Sequence, residues 1–111
     1  MPETQLLKGI LPTIVLAVID SGDAYGYRIL QRLRNAGLSE VGDASVYGTL
    51  QRLYAEGMVS THLDTSGAGP PRKCYSLTAR GASQLKAGLE EWSAFQGAVH
   101  DLLVDGRGAV S

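Results

Sequence analysis

Three segments in the first half of the chain have the hydrophobic spacing of amphipathic helices. Apolar residues recur at intervals of three and four over residues 7–18, which predicts a helix with one buried face. The same period returns over residues 25–33 and stops before Gly37, a residue type that commonly ends helices. A third such pattern begins at about Asp43 and stops before Gly57. The sequence therefore predicts three consecutive helices.

After Gly57 the hydrophobic period changes from 3.6 to 2. Apolar and polar residues alternate over residues 59–63 and again over residues 72–77, as in half-buried strands. Between the two runs lies a turn rich in glycine and proline, residues 65–71. Two adjacent prolines in this turn reduce the entropy cost of holding one shape. This pattern predicts a two-stranded ribbon with a stiff tip.

The last segment predicts one long helix. Thr78 is a favourable N-cap, and large side chains then recur at alternating spacings of four and three from Leu85 to Leu103. A helix over residues 79–104 would span about 40 Å, which is more than a small three-helix domain can cover. We therefore expect this seam to pack against another chain. The predicted dimerisation residues are Leu85, Leu89, Trp92, Val99 and Leu103.

The order of these elements predicts a mainly α fold with a small β-ribbon, namely a winged helix-turn-helix followed by a long dimerisation helix. The corresponding segments are 1–78 for the winged-helix domain, 79–105 for the dimerisation helix and 106–111 for a flexible tail. In this fold the third helix is the recognition helix, and the ribbon is the wing.

Charge adds a weak indication of an anionic partner. The 111 residues carry a net charge of −1, but residues 24–86 hold eight basic against four acidic side chains, a net charge of +4. Within this segment the third helix has a polar face, and basic residues follow the turn of the wing. Hydroxyl, amide and guanidinium groups can all bind phosphates or base edges. The candidate DNA-binding residues are Tyr25, Ser45, Tyr47, Thr49, Gln51, Arg52, Pro70, Arg72 and Lys73.

Four motifs of the sequence resemble those of the PadR family of transcriptional regulators, and the resemblance covers roughly residues 5–100. It implies a homodimer that binds double-stranded operator DNA, with Tyr47 on a phosphate, and a compact subfamily with a single C-terminal helix. The motifs are Leu6-Leu7-Lys8-Gly9, Tyr25-Gly26-Tyr27-x-Ile29, Ser45-Val46-Tyr47-x-x-Leu50-x-x-Leu53-x-x-x-Gly57 and Pro70-Pro71-Arg72-Lys73-x-Tyr75-x-Leu77-Thr78-x-x-Gly81.

The same resemblance implies a flat aromatic small-molecule effector at the dimer centre. Trp92 would stack on such a molecule, or it would simply fill a hydrophobic seam between two chains. The first and last helices meet across the two-fold axis in compact relatives. The candidate ligand-binding residues are Leu6, Thr13, Trp92, Phe95 and Gln96.

Other functional classes find little support in the sequence. His62, His100 and Cys74 lack the spacing of a zinc site, and the sequence shows no catalytic constellation, so we expect no metal, no cofactor and no enzymatic activity. One cysteine excludes an internal disulfide, and no apolar run is long enough for a membrane span. We expect a cytoplasmic protein. The alternatives to a DNA-binding regulator are a winged-helix module for protein association and a scaffold that sequesters a drug.

Overall fold

The computed structural model describes residues 5–22 and 24–110, with side chains as far as residue 105. It confirms the predicted fold class of a mainly helical chain with one β-ribbon. The elements are α1 (Gln5–Asp20), α2 (Gly26–Asn35), α3 (Asp43–Ala55), β1 (Val59–Asp64), β2 (Arg72–Leu77) and α4 (Ala79–Val110). Helix α4 extends beyond the boundary at residue 105 that the sequence predicts, and the division of the chain into functional segments stays a prediction.

The predicted glycine stops end α2 and α3. Gly37 and Gly57 have positive φ values of 104° and 75°, a region that a residue with a Cβ rarely adopts. Backbone N–H groups at these ends bond back into the last turn. In α3 the amide of Met58 donates to the carbonyl of Leu53 at 2.9 Å. The chain therefore leaves α3 at a fixed angle and enters the ribbon directly.

The wing is an antiparallel hairpin whose register runs from Val59 opposite Leu77 to Asp64 opposite Arg72. A short third segment adds to it, because the amide of Tyr75 donates to the carbonyl of Ala24 at 2.9 Å. The start of α2 is therefore joined to β2 by backbone hydrogen bonding.

One hydrophobic core joins α1, α2, α3 and the base of the wing. Leu16, Ile29 and Leu50 are fully buried at its centre. Leu85, near the start of α4, is only 8% exposed and belongs to the same core. The chain's own core thus covers this side chain, and the predicted place of Leu85 in a dimer seam stays a prediction that this burial does not favour.

Two close backbone contacts fix the first part of α4. A Cβ on Gly81 would lie 1.9 Å from the carbonyl oxygen of Met58, and a Cβ on Gly88 would lie 2.5 Å from the hydroxyl of Thr13. Thr78 caps the helix as predicted, because its hydroxyl accepts from the amide of Gly81 at 3.0 Å. Within the described residues, no helix is both long and apolar enough to cross a membrane.

Candidate nucleic-acid interface and exposed helix

Hydrogen bonds from one arginine hold the turn between α2 and α3 in shape. Arg34 Nη2 donates to the carbonyl of Val41 at 3.0 Å and to Asp43 Oδ1 at 3.1 Å. Asp43 is the first residue of α3, where a negative charge also interacts favourably with the helix dipole. Helix α3 is therefore set at a defined angle to α2.

Tyr47 of α3 is half packed and 43% exposed. Its ring lies against the backbone of Gly26, where a Cβ would approach the ring carbon Cε1 to 2.6 Å. Only glycine permits this contact. The ring is thus held at the start of α2, and its exposed part remains available to a partner.

The other candidates on α3 divide into exposed and packed side chains. Gln51 and Arg52 are exposed. Thr49 is only 9% exposed, and its hydroxyl donates to the carbonyl of Ser45 at 2.7 Å. The side chain of Thr49 thus turns back onto its own helix, and its contact with DNA stays a prediction that this packing does not favour.

Arg52 lies on the side of α3 that faces α1. It lines a small cleft of about 320 Å³ together with Lys8 and the stretch of α3 around Gly48. Sequence reasoning did not single out Lys8 as a functional residue, because its proximity to α3 depends on how α1 packs. Lys8 and Arg52 therefore line the same cleft.

On the wing, Arg72 is held by two tyrosines of the α2 segment. Its Nη1 donates to the hydroxyl oxygen of Tyr27 at 3.1 Å. The guanidinium carbon lies 5.8 Å from the ring centroids of both Tyr25 and Tyr27. The two rings stack with their centroids 6.0 Å apart. Arg72 therefore sits on an aromatic platform, a favourable position for a cation.

A second interaction joins the platform to the other strand of the wing. The hydroxyl of Tyr25 donates to Asp64 Oδ2, while Asp64 Oδ1 accepts from the amide of Ser66 at 2.9 Å and from its hydroxyl at 2.6 Å. The bonds from Ser66, then that from Tyr25, lower the pKa of Asp64 to about 2. The bond to Asp64, with a further one to Cys74, raises the pKa of Tyr25 to about 12. We call this Tyr25–Asp64 contact the clasp.

The remaining candidates of the wing are exposed. Pro70 lies in the tip, and Lys73 extends over the ring of Tyr75 with its Nζ 5.9 Å from the centroid. Arg72 and Lys73 thus present two adjacent positive charges on the strand that returns from the tip.

Helix α4 exposes a row of large apolar side chains beyond Gly88. Trp92 is 40% exposed and Leu103 is 64% exposed. The rings of Trp92 and Phe95 lie 6.3 Å apart. A row of this size is unusual on the surface of a monomeric protein and marks an interaction site. Its members are Leu89, Trp92, Phe95, Val99, Leu102, Leu103 and Val104.

Two clefts meet along the line where α1 crosses α4. One, of about 790 Å³, is lined by four of the five predicted ligand residues, Leu6, Thr13, Trp92 and Phe95. The other, of about 420 Å³, is more apolar and again includes Leu6, Thr13 and Trp92. Gln96 is exposed one turn further along α4.

Among the described residues, no group of three or more His, Cys, Asp or Glu side chains is arranged to hold a metal ion.

Comparisons with known proteins agree with this architecture. A model of the PadR-like family of transcriptional regulators matches residues 15–87, more than half of the chain. An uncharacterised protein of Lysinibacillus sphaericus is 28% identical over 108 residues, which cover 96% of this chain and 98% of that protein.

Two solved structures are similar over most of the chain. A PadR-like transcriptional regulator from Bacillus cereus is 33% identical with a TM-score of 0.83, and the match covers 90% of this chain and 97% of that one. A transcriptional regulator from Streptococcus is 33% identical with a TM-score of 0.81, covering 90% and 98%.

Proposed function

We propose, since the chain belongs to the PadR-like family of transcriptional regulators, that it is a ligand-responsive repressor that binds a pseudo-palindromic operator as a homodimer. Regulators of this family bind DNA and are not enzymes. The repressor role, the operator, the effector and the homodimer are the finer parts of the proposal.

The observation that carries the proposal is the meeting of the recognition helix and the wing at the start of α2. Tyr47 packs on Gly26, and Arg72 bonds to the next residue, Tyr27. Aromatic, hydroxyl and guanidinium groups from three elements thus lie along one continuous surface. Such a surface suits a DNA duplex, in which a helix enters the major groove while flanking groups bind the phosphates.

The exposed apolar row of α4 supports the homodimer. Two copies of this face would pair about a two-fold axis, and large apolar side chains such as Trp92 and Leu103 would leave water. Two recognition helices would then enter successive major grooves about 34 Å apart. A pseudo-palindromic operator is the expected target of that symmetry.

The cleft beside Trp92 supports the effector. A flat aromatic molecule would stack on this ring at the dimer centre, between α1 and α4. It would regulate DNA binding only if it bound two arrangements of the heads with different affinity.

The test is fluorescence anisotropy with a labelled duplex from the region upstream of the protein's own gene, at two salt concentrations and with unrelated competitor DNA. We expect sub-micromolar binding that resists the competitor and weakens with salt. Lys73→Ala should reduce the salt slope by about one, the value for a lost phosphate contact. The matched control is Lys86→Ala. Lys86 is also an exposed lysine, but it lies on α4, so its loss should leave the salt slope unchanged.

A protein that fails to distinguish the upstream duplex from random DNA would contradict the operator at that position and would favour the protein-association module. A second arm measures quenching of Trp92, the only tryptophan, by flat aromatic compounds. Quenching that leaves DNA affinity unchanged would favour the drug-sequestering scaffold.

A further inference from the structure

Tyr27 is not among the residues that the sequence indicates for DNA binding, yet the structure gives it a specific polar partner. Its side chain is 43% exposed, and its hydroxyl oxygen accepts from Arg72 Nη1 at 3.1 Å. The two residues are 45 positions apart, and they come together only because the wing folds back over the start of α2. The contact therefore links two separate parts of the proposed interface.

The contact leaves both side chains with hydrogen-bond donors that it does not use. When Tyr27 accepts from Arg72, its own hydroxyl hydrogen remains to be donated elsewhere. Arg72 has five N–H donors, and the bond to Tyr27 uses one of them. A neutral donor beside a guanidinium fork is suited to a single tetrahedral anion, whose oxygens can accept from both.

The surroundings hold the pair in place. The guanidinium carbon lies 5.8 Å from the ring centroids of both Tyr25 and Tyr27, and the clasp ties Tyr25 to Asp64 on the opposite strand. Asp64 and Arg72 are register partners at the base of the wing tip. A free arginine loses rotamer freedom when it binds, whereas this one has already lost part of that freedom.

We propose that Tyr27 and Arg72 form one binding site for a single phosphate of the DNA backbone. The Tyr27 hydroxyl and the Arg72 guanidinium donate to oxygens of the same phosphate, and the clasp positions both groups. This proposal rests on the proposed DNA-binding function and adds to it a contact on α2, outside the recognition helix. Because a phosphate carries no sequence information, the site contributes equally to operator and unrelated DNA.

The test is a double-mutant cycle of DNA affinity on the full-length chain, with Tyr27→Phe, Arg72→Ala and the double variant. Tyr27→Phe removes only the hydroxyl, and we expect the dissociation constant to rise about tenfold for operator and random duplex alike. Arg72→Ala should have an effect at least as large and should also reduce the salt slope by about one. The double variant should bind no more weakly than Arg72→Ala, because the two side chains serve one phosphate.

Tyr54→Phe is the matched control, since Tyr54 is 56% exposed at the far end of α3 and should tolerate loss of its hydroxyl without a change in affinity. Arg72→Lys tests the guanidinium itself: it keeps the charge, so the salt slope should persist while the affinity falls. Thermal unfolding of each variant verifies that the fold is intact.

Three results would overturn the proposal. Wild-type affinity of Tyr27→Phe would remove the hydroxyl from the site and leave the proposed function standing. Losses that add in the double variant would show two independent contacts in place of one shared phosphate. A wild-type chain that binds neither duplex would overturn the site together with the proposed function, and these cases are distinguished in the same titration.

Discussion

Leu50 and Leu103 are both leucines on amphipathic helices, but Leu50 is fully buried while Leu103 is 64% exposed. Leu50 belongs to the head, residues 5–85, in which helices and wing enclose one core. Leu103 belongs to the distal helix, residues 89–105, whose large apolar side chains are between 36% and 74% exposed. The head buries the apolar face of its helices within one chain. The distal helix has a similar apolar face, but leaves much of it exposed. The same periodicity in sequence therefore accompanies a buried core in one region and an exposed apolar face in the other.

The largest expected effect comes from charging the distal helix. Val99→Asp with Leu103→Asp places two carboxylates in the exposed row, and we expect the native mass to fall from two chains to one 11.7 kDa chain. Operator affinity should fall by at least about 100-fold, because the two half-sites are no longer bound by linked heads. Light scattering and anisotropy measure the two effects.

The matched control is Ala87→Asp with Ala94→Asp, which adds the same number of charges at exposed positions on the opposite face of α4. This variant should remain a dimer. If Val99→Asp with Leu103→Asp leaves the native mass unchanged, that result would contradict the assignment of this face to dimerisation.

A smaller effect on the free energy of unfolding should distinguish the head from the distal helix. It comes from alanine substitutions at two glycines of α4, one in each region. Gly81→Ala would place a Cβ 1.9 Å from the carbonyl oxygen of Met58, so the backbone must shift, and the free energy of unfolding should fall by about 1–3 kcal/mol. At Gly97 nothing lies within 4 Å of the added Cβ, so Gly97→Ala should raise that free energy by up to about 1 kcal/mol through helix propensity. Urea unfolding at one protein concentration measures both, and equal shifts would contradict the close contact at Gly81.

The smallest expected effect concerns the clasp. The pKa of Asp64 falls from 3.8 to about 2 in the folded chain, so its contribution to stability is present above pH 4 and is lost as the pH falls towards 2. The pKa of Tyr25 rises from 10.0 to about 12, so its contribution is present below pH 10 and is lost as the pH rises through 12.

Asp64→Asn removes the first titration while it keeps an oxygen acceptor. We expect its melting temperature to fall less between pH 5 and pH 2.5 than that of the wild-type chain. Identical acid profiles would show that the carboxylate is not stabilised in the folded state. The clasp is only partly buried, so solvent still screens it and keeps the effect small.

Local chemistry made much of the fold predictable from sequence. Gly37 and Gly57 end helices through their own backbone freedom, and Thr78 caps α4 through a residue three positions away. The change of the hydrophobic period from 3.6 to 2 after Gly57 also predicted the ribbon, because this alternation is a property of neighbouring residues. Features of this kind depend on neighbours in sequence, so a single sequence contains them.

The interface was less predictable because it depends on contacts between distant segments. Helical spacing placed Thr49 on the polar face, but its hydroxyl bonds within the helix and its side chain packs away from solvent. Spacing also placed Leu85 in the seam, although the head covers it. The bond of Tyr25 to Asp64 joins residues 39 positions apart, and no periodicity indicates such a pair.

The contact between Gly81 and Met58 lies where three elements of the fold meet. The hydroxyl of Thr78 donates to the carbonyl of Gly57 at 2.6 Å, and its amide donates to the carbonyl of Met58 at 3.1 Å. The end of α3, the base of the wing and the start of α4 are therefore joined directly. Beyond Gly88, the last of these close contacts, residues 89–110 of α4 extend for about 33 Å, so a bend of 5° there moves the far end by roughly 3 Å. That displacement is close to the ~3.4 Å between successive base pairs of a duplex.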